Sequence, residues 1–163
     1  MTKEIVLEVA ALEKSFTNFW GKPKARAVKG IDFKVQRGEV FALLGPNGSG
    51  KSTTIKMLLG LLKPTKGELA ILGSTPDDPK VKRRLGYLPE ETLLYDYLTA
   101  EETLDFFASL FKIPKAERKK RVQQLIEMLG LQKVAKRKVG EFSKGMARRI
   151  ALAQALINDP DLI

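Results

Sequence analysis

The stretch Gly45-Pro46-Asn47-Gly48-Ser49-Gly50-Lys51-Ser52-Thr53 constrains this chain more than any other. It fits the pattern G-x-x-x-x-G-K-[ST], and its neighbours supply the context that the pattern needs. Before it runs Val40-Phe41-Ala42-Leu43-Leu44, an unbroken apolar run of the kind shown by a strand buried on both faces. After it, Ile55, Leu58, Leu59 and Leu62 recur at helical spacing over residues 52–62. Strand, glycine loop and helix in that order aim successive backbone N–H groups at a phosphate.

Each residue type in the loop has a physical task. Gly45, Gly48 and Gly50 can take positive φ and let the backbone close on phosphate oxygens with no side chain in the way. Lys51 offers a mobile point charge to the β- and γ-phosphates and to the charge that develops in their transfer, and the Ser52 hydroxyl is placed to ligate Mg²⁺. Residues 45–53 therefore imply a site for a nucleoside triphosphate.

Composition sets the outer bounds. A chain of 163 residues suits one domain. With no cysteine there is no disulfide framework or thiolate metal site, and with no histidine the commonest general base is missing. The charged opening Met1-Thr2-Lys3-Glu4 enters only a short apolar run, unlike a signal peptide, and no stretch approaches about 18 apolar residues. The expectation is an intracellular, soluble chain. The net charge of +10 is unevenly placed: from Lys112 to Arg149 there are 13 lysines and arginines against 3 acids, Glu117, Glu127 and Glu141. Such a run is either a solvated helical face or a surface for phosphate, anionic lipid or nucleic acid.

In order, residues 5–10 read as a strand, and Leu12-Glu13-Lys14-Ser15-Phe16 leads into a polar loop with Phe19, Trp20, Gly21 and Pro23. Residues 27–35 form a second strand with Val28, Phe33 and Val35 inward. Pro64-Thr65-Lys66-Gly67 is a turn before a strand at 68–72, residues 77–84 a short helix, and Gly86-Tyr87-Leu88-Pro89 a brief strand. From Thr99 the period becomes helical, with Thr99 and Glu102 as a capping box and Leu104, Phe107, Ala108 and Phe111 as one stripe. Pro114 starts another helix, with Val122, Leu125, Ile126 and Leu129 inward and Gly130 as its stop. A last helix starts near Ser143 with Met146, Ile150, Ala153 and Ile157 on one face, and Asp159-Pro160 breaks it before Asp161-Leu162-Ile163 begins a further strand.

Four separated motifs in these positions resemble those of the ATP-binding subunit of an ABC transporter, over residues 9–163 and most closely in the branch that partners an ABC-2-type export permease. They are Leu12 to Phe16, the Walker A loop at 45–53, Gly86-Tyr87-Leu88-Pro89-Glu90 at the Q-loop, and Phe142-Ser143-Lys144-Gly145-Met146 at the signature usually written LSGGQ. The resemblance implies an α/β P-loop NTPase of the ABC type. Its parts are a parallel core sheet, an N-terminal antiparallel β-subdomain and a helical subdomain, divided as 1–91, 92–142 and 143–163.

It also implies roles. Phe16, where tyrosine is usual, would stack on adenine; base stacking on an aromatic ring is worth about 1–3 kcal/mol in single-strand binders. Packing within the β-subdomain is its plainer role, and Phe19 and Trp20 are rival stackers. Ser143, Lys144, Gly145 and Met146 open a helix whose N–H groups and dipole would cap the γ-phosphate of ATP held by a second copy, with Arg148 and Arg149 extending the positive field. Read without the family, Ser143 is an ordinary N-cap. Glu90 stands where glutamine is usual, a charged oxygen that would contact Mg²⁺ or the attacking water and couple to the permease; alternatively it is an exposed strand-end carboxylate.

The implied cofactors are ATP and Mg²⁺, bound through Ser52 and Glu90 in the case of the metal. The implied partners are a second ATPase subunit, head to tail, and a membrane permease, with no nucleic acid expected and a location on the inner face of the cell membrane. In the family, Asp161-Leu162-Ile163 would continue into the Walker B strand, whose acids hold Mg²⁺ and polarise water. The 163-residue chain by itself is accordingly expected to bind nucleotide, hydrolyse it poorly and associate through an open strand edge. Three other readings share some of these residues: a non-transport ABC ATPase acting on ribosomes or nucleic acid, a P-loop kinase or GTPase, and a nucleotide-binding module without catalysis. The kinase or GTPase has no use for residues 142–146.

Overall fold

A computed structural model describes residues 4–18, 20 and 23–163. The chain forms two compact units, Met1–Lys82 and Arg83–Ile163.

The first unit is built on an antiparallel sheet of order β2-β1-β3, with β1 at Ile5–Thr17, β2 at Pro23–Gln36 and β3 at Lys66–Ile71. Val6, Leu7, Val9 and Leu12 of β1 are buried, as are Val28 and Val35 of β2, while Phe33 is half-buried. The central strand is longer than the expected 5–10 because Leu12, fully buried, carries the pairing on to Phe16 opposite Ala25. Between Val9 and Leu12 the register slips by one residue, since Val9 faces Phe33 but Leu12 faces Ile31. Ala11 has φ 47° in this bulge, and its N–H donates to Asp32 Oδ1 at 2.7 Å.

Helix α1, Lys51–Leu58, is shorter than the expected 52–62. Gly60, at φ 65°, ends it in a Schellman arrangement: the Leu61 N–H donates to the Lys56 carbonyl at 2.9 Å and the Gly60 N–H to the Met57 carbonyl at 3.0 Å. A short helix α2, Pro79–Lys82, closes the unit.

In the second unit, α3 (Ala100–Leu110), α4 (Lys115–Met128) and α5 (Lys144–Leu156) pack around Leu104, Ala108, Leu125, Ile126, Ile150 and Ala153. The stripes expected from the 3.6-residue period point inward, except that Met146 at the start of α5 is half-buried and outside this core. Thr99 and Glu102 form the full capping box at the start of α3. Gly130 ends α4 with the same paired bonds as Gly60, from Leu131 N–H to the Ile126 carbonyl and from Gly130 N–H to the Glu127 carbonyl. Two 3₁₀ turns, Gln132–Val134 and Val139–Glu141, lead into α5.

The parallel part of the expected fold is present only in outline among the described residues. Residues 40–44 form no strand; Val40 and Leu44 are 97% and 87% exposed, and no backbone ladder reaches them. A run apolar on both faces becomes a strand only when neighbours pair with it on both edges. The brief strand expected at 86–89 and the one at 161–163 are likewise reduced to a single parallel bridge, Leu85 with Leu162. The Gly86 N–H donates to the Leu162 carbonyl at 2.8 Å and the Asp161 N–H to the Arg84 carbonyl at 2.8 Å.

Candidate nucleotide-binding site

The loop at 45–50 delivers the chain to α1 with the geometry that phosphate binding requires. Gly50 is the residue before the helix and sits at φ 95°, a left-handed conformation that side-chain-bearing residues rarely adopt. It also lies against β2: a Cβ there would collide with the Ala27 carbonyl oxygen and come within 3.2 Å of Val28 Cγ2. No side chain caps α1, so the N–H groups of Lys51, Ser52 and Thr53 have no helical acceptor and remain open to an anion.

Lys51 folds back over the loop that precedes it. Its Nζ donates to the Gly45 carbonyl at 2.6 Å and to the Pro46 carbonyl at 2.9 Å, which holds the ammonium inside the ring of residues 45–51. The Ser49 N–H donates to the Pro46 carbonyl at 3.2 Å and tightens the same turn, with Asn47 and Gly48 at its tip. Ser52 is exposed and Thr53 half-buried. Thr54, which the motif does not include, is buried, and both its N–H (2.8 Å) and its hydroxyl (3.0 Å) donate to the Gly50 carbonyl. A threonine one position past the motif, where the next helical turn begins, is the signal that could have found it.

Phe16 lies at the far end of β1 with 39% of its surface exposed, so packing does not bury it. Lys14 Nζ stands over its ring, 5.5 Å from the centroid. Trp20 is 81% exposed, and Phe19 lies outside the described residues.

In the second unit, Ser143 is the N-cap of α5; its hydroxyl accepts from the Met146 N–H at 3.3 Å. Lys144 and Gly145 are exposed and Met146 half-buried. Arg148 and Arg149, expected to extend the positive field of this helix tip, are exposed and also hold specific backbone partners. Arg148 Nη1 donates to the Pro89 carbonyl and, at 3.2 Å, to the Glu90 carbonyl, while Arg149 Nη1 donates to the Leu129 carbonyl at 3.2 Å. Both guanidinium groups fasten neighbouring segments, a long-range use that no local pattern reveals. The Arg148 contacts join the Ser143 helix to the loop that carries Glu90, whose own carboxylate is exposed and has no hydrogen-bond partner among the described residues.

The remaining basic residues between Lys112 and Arg137 divide into two groups. Arg118, Arg121 and Arg137 pair with Asp105, Asp159 and Glu141, whereas Lys112, Lys115, Lys119, Lys120, Lys133 and Lys136 are exposed and form no ion pair among the described residues. No group of three acids that could hold a metal ion occurs among the described residues. No described helix is long and apolar enough to cross a membrane.

A glycine loop closed by its own lysine and followed by an uncapped helix is the arrangement of a P-loop, and the solved structures this chain superposes on are ABC ATPase domains of the P-loop NTPase fold. The profile of the ABC transporter family matches residues 28–163. An ABC transporter ATP-binding protein of Synechocystis sp. is 45% identical over 161 residues, covering 97% of this chain and 46% of that protein. The linearmycin resistance ATP-binding protein LnrL of Bacillus subtilis is 42% identical over 142 residues, covering 86% of this chain and 46% of LnrL. Among solved structures, a dimeric bacterial ABC transporter cassette superposes with a TM-score of 0.79 at 29% identity, over 94% of this chain and 70% of that one. The chain belongs to the ABC transporter family. It spans about half the length of the curated relatives it matches.

Proposed function

We propose that this chain is the ATP-binding part of an ABC transporter subunit, in which ATP binding and hydrolysis power export through a membrane permease. The observation that carries the reading is the Lys51 ammonium, held over residues 45–46 beside three N–H groups that no side chain caps. A triphosphate would exchange the two carbonyl contacts of Lys51 for charge-assisted ones to the β- and γ-phosphates and take up the open amides of Lys51, Ser52 and Thr53. Gly45, Pro46, Asn47, Gly48, Ser49 and Gly50 supply the enclosing backbone, and Phe16 the platform for the base.

The exposed Ser52 hydroxyl at the start of α1 is a hard oxygen ligand that suits Mg²⁺. The exposed Glu90 carboxylate of the second unit is by its chemistry a further hard ligand, and the family resemblance gives it the metal- or water-contacting role. When bound, the ion neutralises charge that develops on the transferring phosphoryl group. Ser143, Lys144, Gly145 and Met146 form a second anion-binding helix tip, which we assign to the ATP of a second copy arranged head to tail. The SkfA peptide export ATP-binding protein SkfE of Bacillus subtilis, 38% identical over 154 residues, and the dimeric cassette support the export and pairing parts of this reading. The subunit would then sit on the cytoplasmic face of the membrane, held there by its permease.

Competition against a fluorescent ATP analogue tests the site. ATP should displace the analogue, and AMP, which lacks the phosphates Lys51 reaches, should do so at least about ten-fold less well, a difference of 1.4 kcal/mol. Equal potency of the two nucleotides contradicts the assignment of Lys51.

A further inference from the structure

One side chain beside the proposed base platform has no role so far. Lys14 precedes Phe16 by two residues on β1, so both project from the same face of the sheet. Its Nζ lies 5.5 Å from the Phe16 ring centroid, and it is anchored there by donating to the Lys63 carbonyl at 2.6 Å. The acceptor segment is itself tied down. The Thr65 N–H donates to the Glu13 carbonyl at 2.8 Å, and the Thr65 hydroxyl exchanges hydrogen bonds with the backbone of Ser15, accepting at 3.1 Å and donating at 3.3 Å.

The charge of Lys14 is not spent on a carboxylate. Its neighbour Glu13 pairs with Arg26 at 2.9 Å, and no ion pair to Lys14 occurs among the described residues. Among the described residues the ammonium of half-buried Lys14 is therefore held by a backbone carbonyl and set over an aromatic face. A cation over one face of a ring fixes the ring and leaves the opposite face for another partner. The placement also bears on the phosphate loop. Lys14 pairs across the sheet with Val28, and Val28 is the side chain against which Gly50 packs.

We propose that Lys14 is a positioning residue for nucleotide binding, its anchored ammonium backing one face of Phe16 so that the other is preset to stack on the base. This rests on the reading of Phe16 as base platform. A preset ring loses less rotamer freedom when the base arrives, and the cation draws electron density from the face that meets an electron-rich purine.

The test separates base from phosphates. Titrate ATP and inorganic tripolyphosphate, each with magnesium, into the wild-type protein and into Lys14→Gln, Lys14→Met, Lys14→Arg and Phe16→Ala, with the fold of each checked by circular dichroism. Lys14→Gln keeps a donor for the Lys63 carbonyl while removing the charge, and Lys14→Met serves if that variant does not fold. The expected result is a loss of ATP affinity of about two- to five-fold on removing the charge, with tripolyphosphate affinity unchanged and Lys14→Arg restoring ATP. Phe16→Ala should show a larger loss with the same selectivity. If Phe16→Ala weakens ATP but both neutral Lys14 variants match wild type, the role of Lys14 is overturned and the platform stands. Should Lys14→Gln weaken ATP and tripolyphosphate equally, Lys14 acts on the phosphates and the proposal is wrong. If Phe16→Ala leaves ATP binding intact, the platform itself fails and the proposal falls with it.

Discussion

At the scale of single residues, Lys51 and Gly50 divide the work of the loop between charge and backbone. Lys51 is held by two carbonyls of its own loop at 2.6 and 2.9 Å, neutral acceptors that, on the proposed function, a triphosphate would replace with ionic ones. Lys51→Ala should lower ATP affinity by at least about ten-fold while leaving thermal stability within about 0.5 kcal/mol, because the side chain is partly exposed and its hydrogen bonds among the described residues are to its own loop. Gly50 is the converse case. Gly50→Ala forces a Cβ into a left-handed residue pressed on Ala27, so it should destabilise the first unit by at least about 1 kcal/mol, read by urea titration, and abolish nucleotide binding. A less visible partner is Thr54, whose hydroxyl donates to the Gly50 carbonyl at 3.0 Å from a buried position. Thr54→Val removes that bond at nearly constant volume and should cost about 1 kcal/mol.

At the scale of elements, the helices rest on local chemistry that is written in adjacent residues. At the start of α3 the Thr99 hydroxyl accepts from the Glu102 N–H at 3.2 Å, and Glu102 Oε2 accepts from the Thr99 N–H at 2.8 Å. Thr99→Ala should cost about 1 kcal/mol in the stability of the second unit, measured by chemical unfolding. The backbone and then the hydroxyl of Thr99 hold the Glu102 carboxyl below its ordinary value of 4.5. A carboxyl depressed on folding stabilises above its ordinary pKa, and the contribution is lost as pH falls through the folded value. Stability of the wild type should therefore drop with acid more steeply below about pH 4.5 than that of Glu102→Gln.

The capping box, the Gly130 stop and the inward stripe of α4 were all legible in sequence because donor, acceptor and period lie within one or two turns. Residues 40–44 were not, since a strand is defined by partners elsewhere in the chain and a run of apolar residues cannot name them. Phe16 was placed at the edge of a loop for a related reason: whether β1 continues past Leu12 depends on what β2 offers opposite. The backbone turn from Gly45 into α1 was legible because the positive φ at Gly45, Gly48 and Gly50 is what the spacing of the glycines calls for. The bonding partners of Arg148 were not legible, because its acceptors, the Pro89 and Glu90 carbonyls, lie more than fifty positions away in sequence.

At the scale of the whole molecule, the two units carry different halves of one proposed mechanism: the triphosphate cradle and base platform in the first, the Ser143 helix tip and Glu90 in the second. Their exposed surfaces make a separate demand. Val40, Phe41 and Leu44 present apolar side chains on an unpaired segment, the kind of surface through which chains associate. Val40→Lys together with Leu44→Lys should lower the mean mass seen in light scattering at high protein concentration; a wild type that stays monomeric over a wide concentration range contradicts this.

The central claim is that the loop ending in Lys51 binds the triphosphate of ATP. Calorimetric titration of ATP with magnesium into the wild-type protein and into Lys51→Ala, both shown to be folded by circular dichroism, tests it most directly. Saturable binding by the wild type that is lost in Lys51→Ala is the predicted result; no binding by the folded wild type, or equal binding by the two, contradicts it.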